Sequence, residues 1–241
     1  MAEAALWGAV GASSLLIGAV IAILVPLPRA VIGLILGFGA GTLISAMAFE
    51  LTEEAFRLGG ADAVAVGLAL GALAYFAGDT LIERRGGGNR MSSRGEQSGA
   101  ANALLLGAVL DGIPESAVLG ITLLEGSGVG VAVLAAIFLS NLPEALSSTT
   151  GMRMTGRSAA GVLTTWSVVV LVSAVSAALG YRLLDGASGN TIGLIQAFAG
   201  GAVLTMLVDT MIPEAFARGH RAVGLVTVLG FALAYLLSTL E

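Results

Sequence analysis

Two similar clusters, Asp111-Gly112-Ile113-Pro114-Glu115-Ser116 and Ser140-Asn141-Leu142-Pro143-Glu144-Ala145, interrupt otherwise apolar sequence, one near the middle of each of two consecutive hydrophobic segments. A carboxylate at the centre of a membrane-spanning helix costs about 2.5–3.5 kcal/mol on insertion scales, so it faces a partner, a cavity or an ion rather than lipid. Neither segment carries a Lys or Arg at similar depth to neutralise Asp111, Glu115 and Glu144. The three acids together therefore point to an ion or proton site.

The rest of the chain supplies the membrane context. Of 241 residues, 56% are hydrophobic and 11% charged, against roughly a quarter charged in soluble proteins. Mean hydropathy is +0.95. Apolar runs of about 18 residues or more recur from end to end, and the alternation of a barrel strand is absent. These features exclude a sizeable soluble domain and predict a single all-α transmembrane domain over 1–241. Eight spans are expected, at 5–25, 31–57, 62–83, 100–123, 128–152, 159–183, 190–217 and 221–240. Val25-Pro26-Leu27-Pro28-Arg29, Gly59-Gly60, Gly126-Ser127-Gly128 and Asp185-Gly186 punctuate them. Residues 84–99, rich in Gly, Ser and Arg, read as a flexible cytoplasmic loop. Cysteine is absent, so disulfides and thiolate metal sites are excluded.

Arginine supplies every basic charge except the single histidine. Arg29, Arg84, Arg85, Arg90, Arg94, Arg153, Arg157, Arg218 and Arg221 fall on the odd-numbered loops, with only Arg57 and Arg182 towards the other side. The positive-inside rule then places both termini outside, in a multi-pass protein of the cell membrane. The first span has Glu3 and no basic residue ahead of it, so it reads as a retained span. Phe38-Gly39-Ala40-Gly41 and Glu54-Ala55-Phe56 match Phe198-Ala199-Gly200-Gly201 and Glu214-Ala215-Phe216 at a constant offset of 160 residues. The matching segments occupy the same place in two groups of three, which predicts a 3+2+3 arrangement with inverted repeats of spans 1–3 and 6–8. Spans four and five then lie at the pseudo-symmetry axis.

Four spans share one device, an oxygen-bearing residue four positions before a glutamate: Glu50/Glu54, Asp111/Glu115, Ser140/Glu144 and Thr210/Glu214. Positions i and i+4 share a helix face, so each pair presents its oxygens to one side. Pro114, Pro143 and Pro213 each remove a backbone N–H and free the carbonyls of Leu110, Leu139 and Asp209, which are cation-coordinating groups in their own right. Glu50 and Glu54 near one membrane face, and Asp209 and Glu214 near the other, read as a pathway or as plainly solvated acids. Met152, Met154, Met206 and Met211 are not spaced like a soft-metal ladder and read as packing.

At this point the chain resembles the ZIP (Zrt/Irt-like) family of divalent-metal transporters, more closely its prokaryotic members. Asp111-Gly112-Ile113-Pro114-Glu115-Ser116 is similar to that family's His-Asn-x-Pro-Glu-Gly motif, Ser140-Asn141-Leu142-Pro143-Glu144 to its fifth-span motif, and Pro213-Glu214-Ala215 to its seventh span. Both motif histidines are replaced, by Asp111 and Ser140. The resemblance implies a metal site of Asp111, Glu115, Ser140, Asn141 and Glu144. It also implies transport by alternating access, with one helix group moving elevator-like against the other. An all-oxygen set suits Mn²⁺ or Mg²⁺, whereas imidazole suits Zn²⁺ and Fe²⁺; carboxylates still bind zinc.

The expected partners are a divalent metal ion (Zn, Mn, Fe or similar) and the lipid bilayer. No nucleic acid and no resident cofactor are expected, and the reading admits a homodimer. Two rival functions share the paired carboxylates. An intramembrane hydrolase of a lipid phosphate would need Arg or Lys for the phosphate, which mid-membrane sequence lacks. A proton relay for a non-metal solute would use Asp111, Glu115 and Glu144 without metal.

Overall fold

In the computed structural model, residues 1–82, 84, 100–125 and 129–239 are described, and among them every regular element is helical. The loop expected at 84–99, apart from Arg84, and the turn at 126–128 lie outside the described residues. Helix α1 spans Ala2–Leu24 and α2 spans Arg29–Ala46. A π-helical turn, Met47–Thr52, links α2 to α3, Glu53–Ile82. Then come α4 (Ala100–Thr122), α5 (Val131–Met154), α6 (Ala159–Leu184) and α7 (Gly189–Met206). A second π-helical turn, Leu207–Met211, leads into α8, Ile212–Gly219, followed by α9, Ala222–Ser238.

Among the described residues five helical stretches are long and apolar enough to cross a membrane. One of them, Arg29–Leu81, has 53 residues. A straight helix of that length would reach about 80 Å, more than twice a hydrocarbon core of about 30 Å. The run is broken at Gly60, whose φ of 72° and ψ of −177° are open to glycine and costly for other residues. The break expected at Gly59-Gly60 therefore falls at its second glycine. His220, with φ 54°, makes the corresponding turn between α8 and α9.

The polarity of the surface suits lipid. Leu70, Leu73 and Phe76 of α3, Leu171, Val175 and Leu183 of α6, and Leu225, Val228 and Leu229 of α9 are exposed, while Ser14, Thr42, Ser45, Ser147, Thr149 and Gln196 are buried. Apolar side chains turned outward and hydroxyls turned inward are what a helix bundle in hydrocarbon requires, since no water is there to satisfy polar groups. The chain is a multi-pass, all-helical membrane protein.

Close helix pairing rests on glycine. A Cβ at Gly33 would meet Ala215 O and Arg218 Cβ of α8, both at 2.8 Å; 160 residues later, one at Gly193 would meet Ala55 O at 2.6 Å and Gly59 N at 3.0 Å. Ala215 and Gly219 are themselves Ala55 and Gly59 displaced by 160. Likewise a Cβ at Gly41 would collide with the Thr227 carbonyl of α9, and one at Gly201 with the Leu68 carbonyl of α3. Small residues let these backbones touch, which favours association in a solvent that offers no hydrophobic drive between helices. The two π turns also correspond, since Met47 displaced by 160 is Leu207.

Packing divides the helices into two groups. In one, α1 lies against α5 and α6, and α4 lies against α6; in the other, α3 lies along α7, and α2 along α8 and α9. Trp166, Leu15, Ala145 and Met152 centre the core of the first. The second core, around Leu36, Leu43, Met47 and Met206, extends to Val118 and Leu119 of α4 and Val133 and Ile137 of α5. Helices α4 and α5 thus carry the seam between the groups on their apolar faces.

Candidate functional site

Both acidic clusters lie within continuous helices, α4 running through Pro114 and α5 through Pro143. Thr122, at the end of α4, accepts a hydrogen bond at its Oγ1 from the backbone N–H of Gly130, just before α5, at 3.2 Å. This link sets the relative height of the two helices. Glu115 is seven residues back from Thr122 and Ile137 is seven residues on from Gly130, and both line one cavity. At 1.5 Å per residue that level is about 10 Å from the link. Ser140, Asn141 and position 111 lie about 15 Å from it, and Glu144 about 21 Å. Measured along its own helix, Glu115 is thus the nearest of the five to the link and Glu144 the furthest. The side chain of Asp111 lies outside the described residues.

Glu115 is 3% exposed and Glu144 6%, and each has an interaction partner within the fold. Ser140 and Asn141 are also buried. The Ser140 hydroxyl donates to the Ile137 carbonyl at 3.0 Å, which leaves the lone pairs of Oγ available as acceptors. Glu115 reaches the seam between the two helix groups, where a cavity with room for about one water molecule is lined by Leu43, Met47, Val118, Ile137 and Val203. Among the described residues that line it, the Glu115 carboxylate is the one charged group. A bare divalent ion is of that size; a hydrated one is larger.

Beyond the cavity the same face of α5 stays polar. Val133, Ile137, Ser140, Glu144, Ser147 and Gly151 follow i, i+3, i+4 spacing, and all six are buried. Carboxylate and hydroxyl oxygens thus continue from the cavity towards the α5–α6 turn. Gly39 of α2 backs this face, where a Cβ would stand 3.0 Å from Ser140 Cα.

The four pathway residues lie on the two π turns and the helices that follow them; Met47 and Leu51 of the first turn line the same cavity as Glu115. Glu54 accepts from Arg57, Nε at 2.6 Å and Nη2 at 2.5 Å. Glu214 accepts from Nε of Arg218 at 2.5 Å. The two pairs differ in setting, because the Arg57 side chain is 70% exposed and that of Arg218 is 5% exposed. Glu50 is half-buried and Asp209 exposed. Among the described residues, no three His, Cys, Asp or Glu side chains stand close enough to hold a metal ion; Asp111 is outside that set.

Sequence reasoning missed the arginine partners of Glu54 and Glu214, although spacings of three and four residues on a helix would have revealed both. It also missed the π turns. Thr52 bonds through its hydroxyl to the Met47 carbonyl, five residues back, at 2.7 Å, a contact that no proline announces.

No family model matches the sequence. A protein of Arabidopsis thaliana named "Putative zinc transporter" is 24% identical to it over 186 residues, which cover 76% of this chain and 30% of the plant protein. The chain spans about a third of the length of the curated relative it matches. With its apolar outer faces and buried carboxylates, this is a multi-pass helical membrane protein similar over three quarters of its length to that plant protein.

Proposed function

We propose that the protein is a divalent metal-ion transporter, a divergent member of the ZIP family, and not an enzyme. The observation that carries the reading is the burial of Glu115 and Glu144 on two proline-interrupted helices, with Glu115 at the seam between two separately packed helix groups. The plant protein's name supports the same class of cargo. Asp111, Glu115, Ser140, Asn141 and Glu144 form the cation site, with Glu115 and Glu144 jointly coordinating the ion between α4 and α5 and Asp111 completing the shell.

Counting Arg29–Leu81 as two rods about Gly60, and adding α4 and α9, gives eight spans. The contacts that recur at an offset of 160 residues support the 3+2+3 reading with inverted repeats. Alternating access follows from sliding the group of α1, α4, α5 and α6 against the group of α2, α3, α7, α8 and α9. This division cuts across the repeats, because each group takes helices from both. Glu50, Glu54, Asp209 and Glu214 line the approaches, both termini are outside, and the protein resides in the cell membrane.

An all-oxygen site favours Mn²⁺ over metals that prefer imidazole. The test is uptake into proteoliposomes across Mn²⁺, Zn²⁺, Fe²⁺, Cd²⁺ and Mg²⁺. Uptake of at least one ion, abolished by Glu115→Ala and by Glu144→Ala, is the expected result. Wild-type uptake that survives both substitutions would overturn the site, and absence of uptake for every ion would overturn the function.

A further inference from the structure

A buried hydrogen bond outside the cation site joins α5 to α6. The indole Nε1 of Trp166 donates to Thr149 Oγ1 at 2.8 Å, and both residues are wholly buried. Trp166 packs in the same core as Ala145 and Met152 of α5. Other hydroxyls of α5 bond within their own helix, Ser140 to the Ile137 carbonyl and Thr150 to the Leu146 carbonyl. Thr149 is held from another helix, five residues past Glu144 and turned away from it.

That position follows from Pro143. Proline has no N–H to offer the Leu139 carbonyl, so α5 loses a rung of its ladder immediately before Glu144. The rotation of the segment from Glu144 onward then depends on contacts with neighbouring helices. Gly18 of α1 supplies one, since a Cβ there would stand 3.0 Å from Ala145 Cβ. The indole bond supplies another, about one turn further on. A bond with defined direction fixes helix rotation, which apolar packing alone does more loosely.

We propose that Trp166, through Thr149, is a positioning residue for the cation site. It sets the rotation of α5 after Pro143 and so aims the Glu144 carboxylate at a divalent cation; the inference rests on the transport reading above. Removing an outer group that orients a metal ligand typically costs about 10–100-fold in metal affinity or activity, and because Thr149 does not itself touch the ion, the loss is expected in half-saturation.

The experiment uses the full chain in proteoliposomes, with Mn²⁺ as probe and half-saturation and maximal rate measured separately. Thr149→Val and Trp166→Phe are expected to raise the half-saturating concentration about tenfold while leaving the maximal rate within about twofold. Thr149→Ser, which keeps the acceptor oxygen, is expected to restore wild-type half-saturation. The double variant Thr149→Val/Trp166→Phe should be no worse than either single one, because both remove one bond. Thr149→Val with wild-type half-saturation in a transporting protein overturns this inference alone. So does a loss of folded protein in both single variants while Thr149→Ser folds, since the bond would then serve stability only. Wild-type protein that takes up no ion of the panel overturns the transport reading itself.

Discussion

Alanine at Gly41 and at Gly201 tests the helix contacts on which the paired architecture depends. At Gly41 a Cβ would run into the Thr227 carbonyl and stand 2.8 Å from Phe231 N; at Gly201 it would run into the Leu68 carbonyl and stand 2.8 Å from Leu68 Cα. These obstacles are backbone atoms, so no side chain can rotate out of the way. Helices α2 and α9, or α7 and α3, must separate by about 1 Å, and overpacking of this kind costs about 1–3 kcal/mol. The gain in helix propensity from glycine to alanine, up to about 1 kcal/mol, offsets part of it. A net loss of about 1 kcal/mol for each variant lowers the melting temperature by roughly 2–4 °C in a chain of this size. Gly224 of α9, with nothing within 4 Å of its Cβ position, is the control and should gain up to about 1 kcal/mol as alanine. The two contacts share no partner, so the double variant should be additive within about 0.5 kcal/mol. Thermal unfolding of the detergent-solubilised protein reads all four. Gly41→Ala at wild-type stability, or Gly224→Ala as harmful as Gly41→Ala, would refute the argument.

Further outcomes follow from individual side chains. Glu115→Gln and Glu144→Gln keep the shape of the site and remove one charge each; cation affinity is expected to fall about a hundredfold or more, since losing one member of a buried charge pair costs about 2–5 kcal/mol, and titration calorimetry with Mn²⁺ measures it. Arg57→Ala breaks an exposed pair and should change thermal stability by about 1 kcal/mol at most. Arg218→Ala opens a buried pair at the equivalent end of α8 and should cost about 3 kcal/mol; equal effects would show that burial does not separate the two clamps. Asp111→His introduces an imidazole and should shift competition uptake from Mn²⁺ towards Zn²⁺.

Helix positions and breaks were legible because hydropathy and glycine act locally: the turn at Gly60 and the end of α8 near Gly219 stand close to where the sequence places them. The offset of 160 residues was legible from Phe38 to Phe56 and extends to Gly33 and Gly59. Which helix each glycine touches was not, because lipid and protein interior are equally apolar and the sequence does not say which a small face meets. The grouping of α1 with α4, α5 and α6 was hidden for the same reason. At the site, burial of Glu115 and Glu144 was readable from cost alone, since neither tolerates lipid. The Thr122–Gly130 link across the turn was not, because it depends on tertiary placement, and Trp166 looked like any apolar residue of α6.

The long-range pairing of α3 with α7 also bears on how the chain is made. Gly71 rests against the backbone of Phe198, about 130 residues later, so at about 5–20 residues per second α3 waits roughly ten seconds for its partner to be synthesised. The contact of α2 with α9 waits longer still, because Gly41 and Thr227 are further apart in the chain. During that interval the faces around Gly71 of α3 and Gly41 of α2, which later meet α7 and α9, have only lipid, the insertion machinery or a chaperone for company. Biogenesis of this half of the molecule is therefore completed from its C-terminal end. A nascent chain halted after α6 would hold a nearly complete α1, α4, α5 and α6 beside an α3 still lacking α7 and an α2 still lacking α8 and α9, with small-residue faces open to lipid.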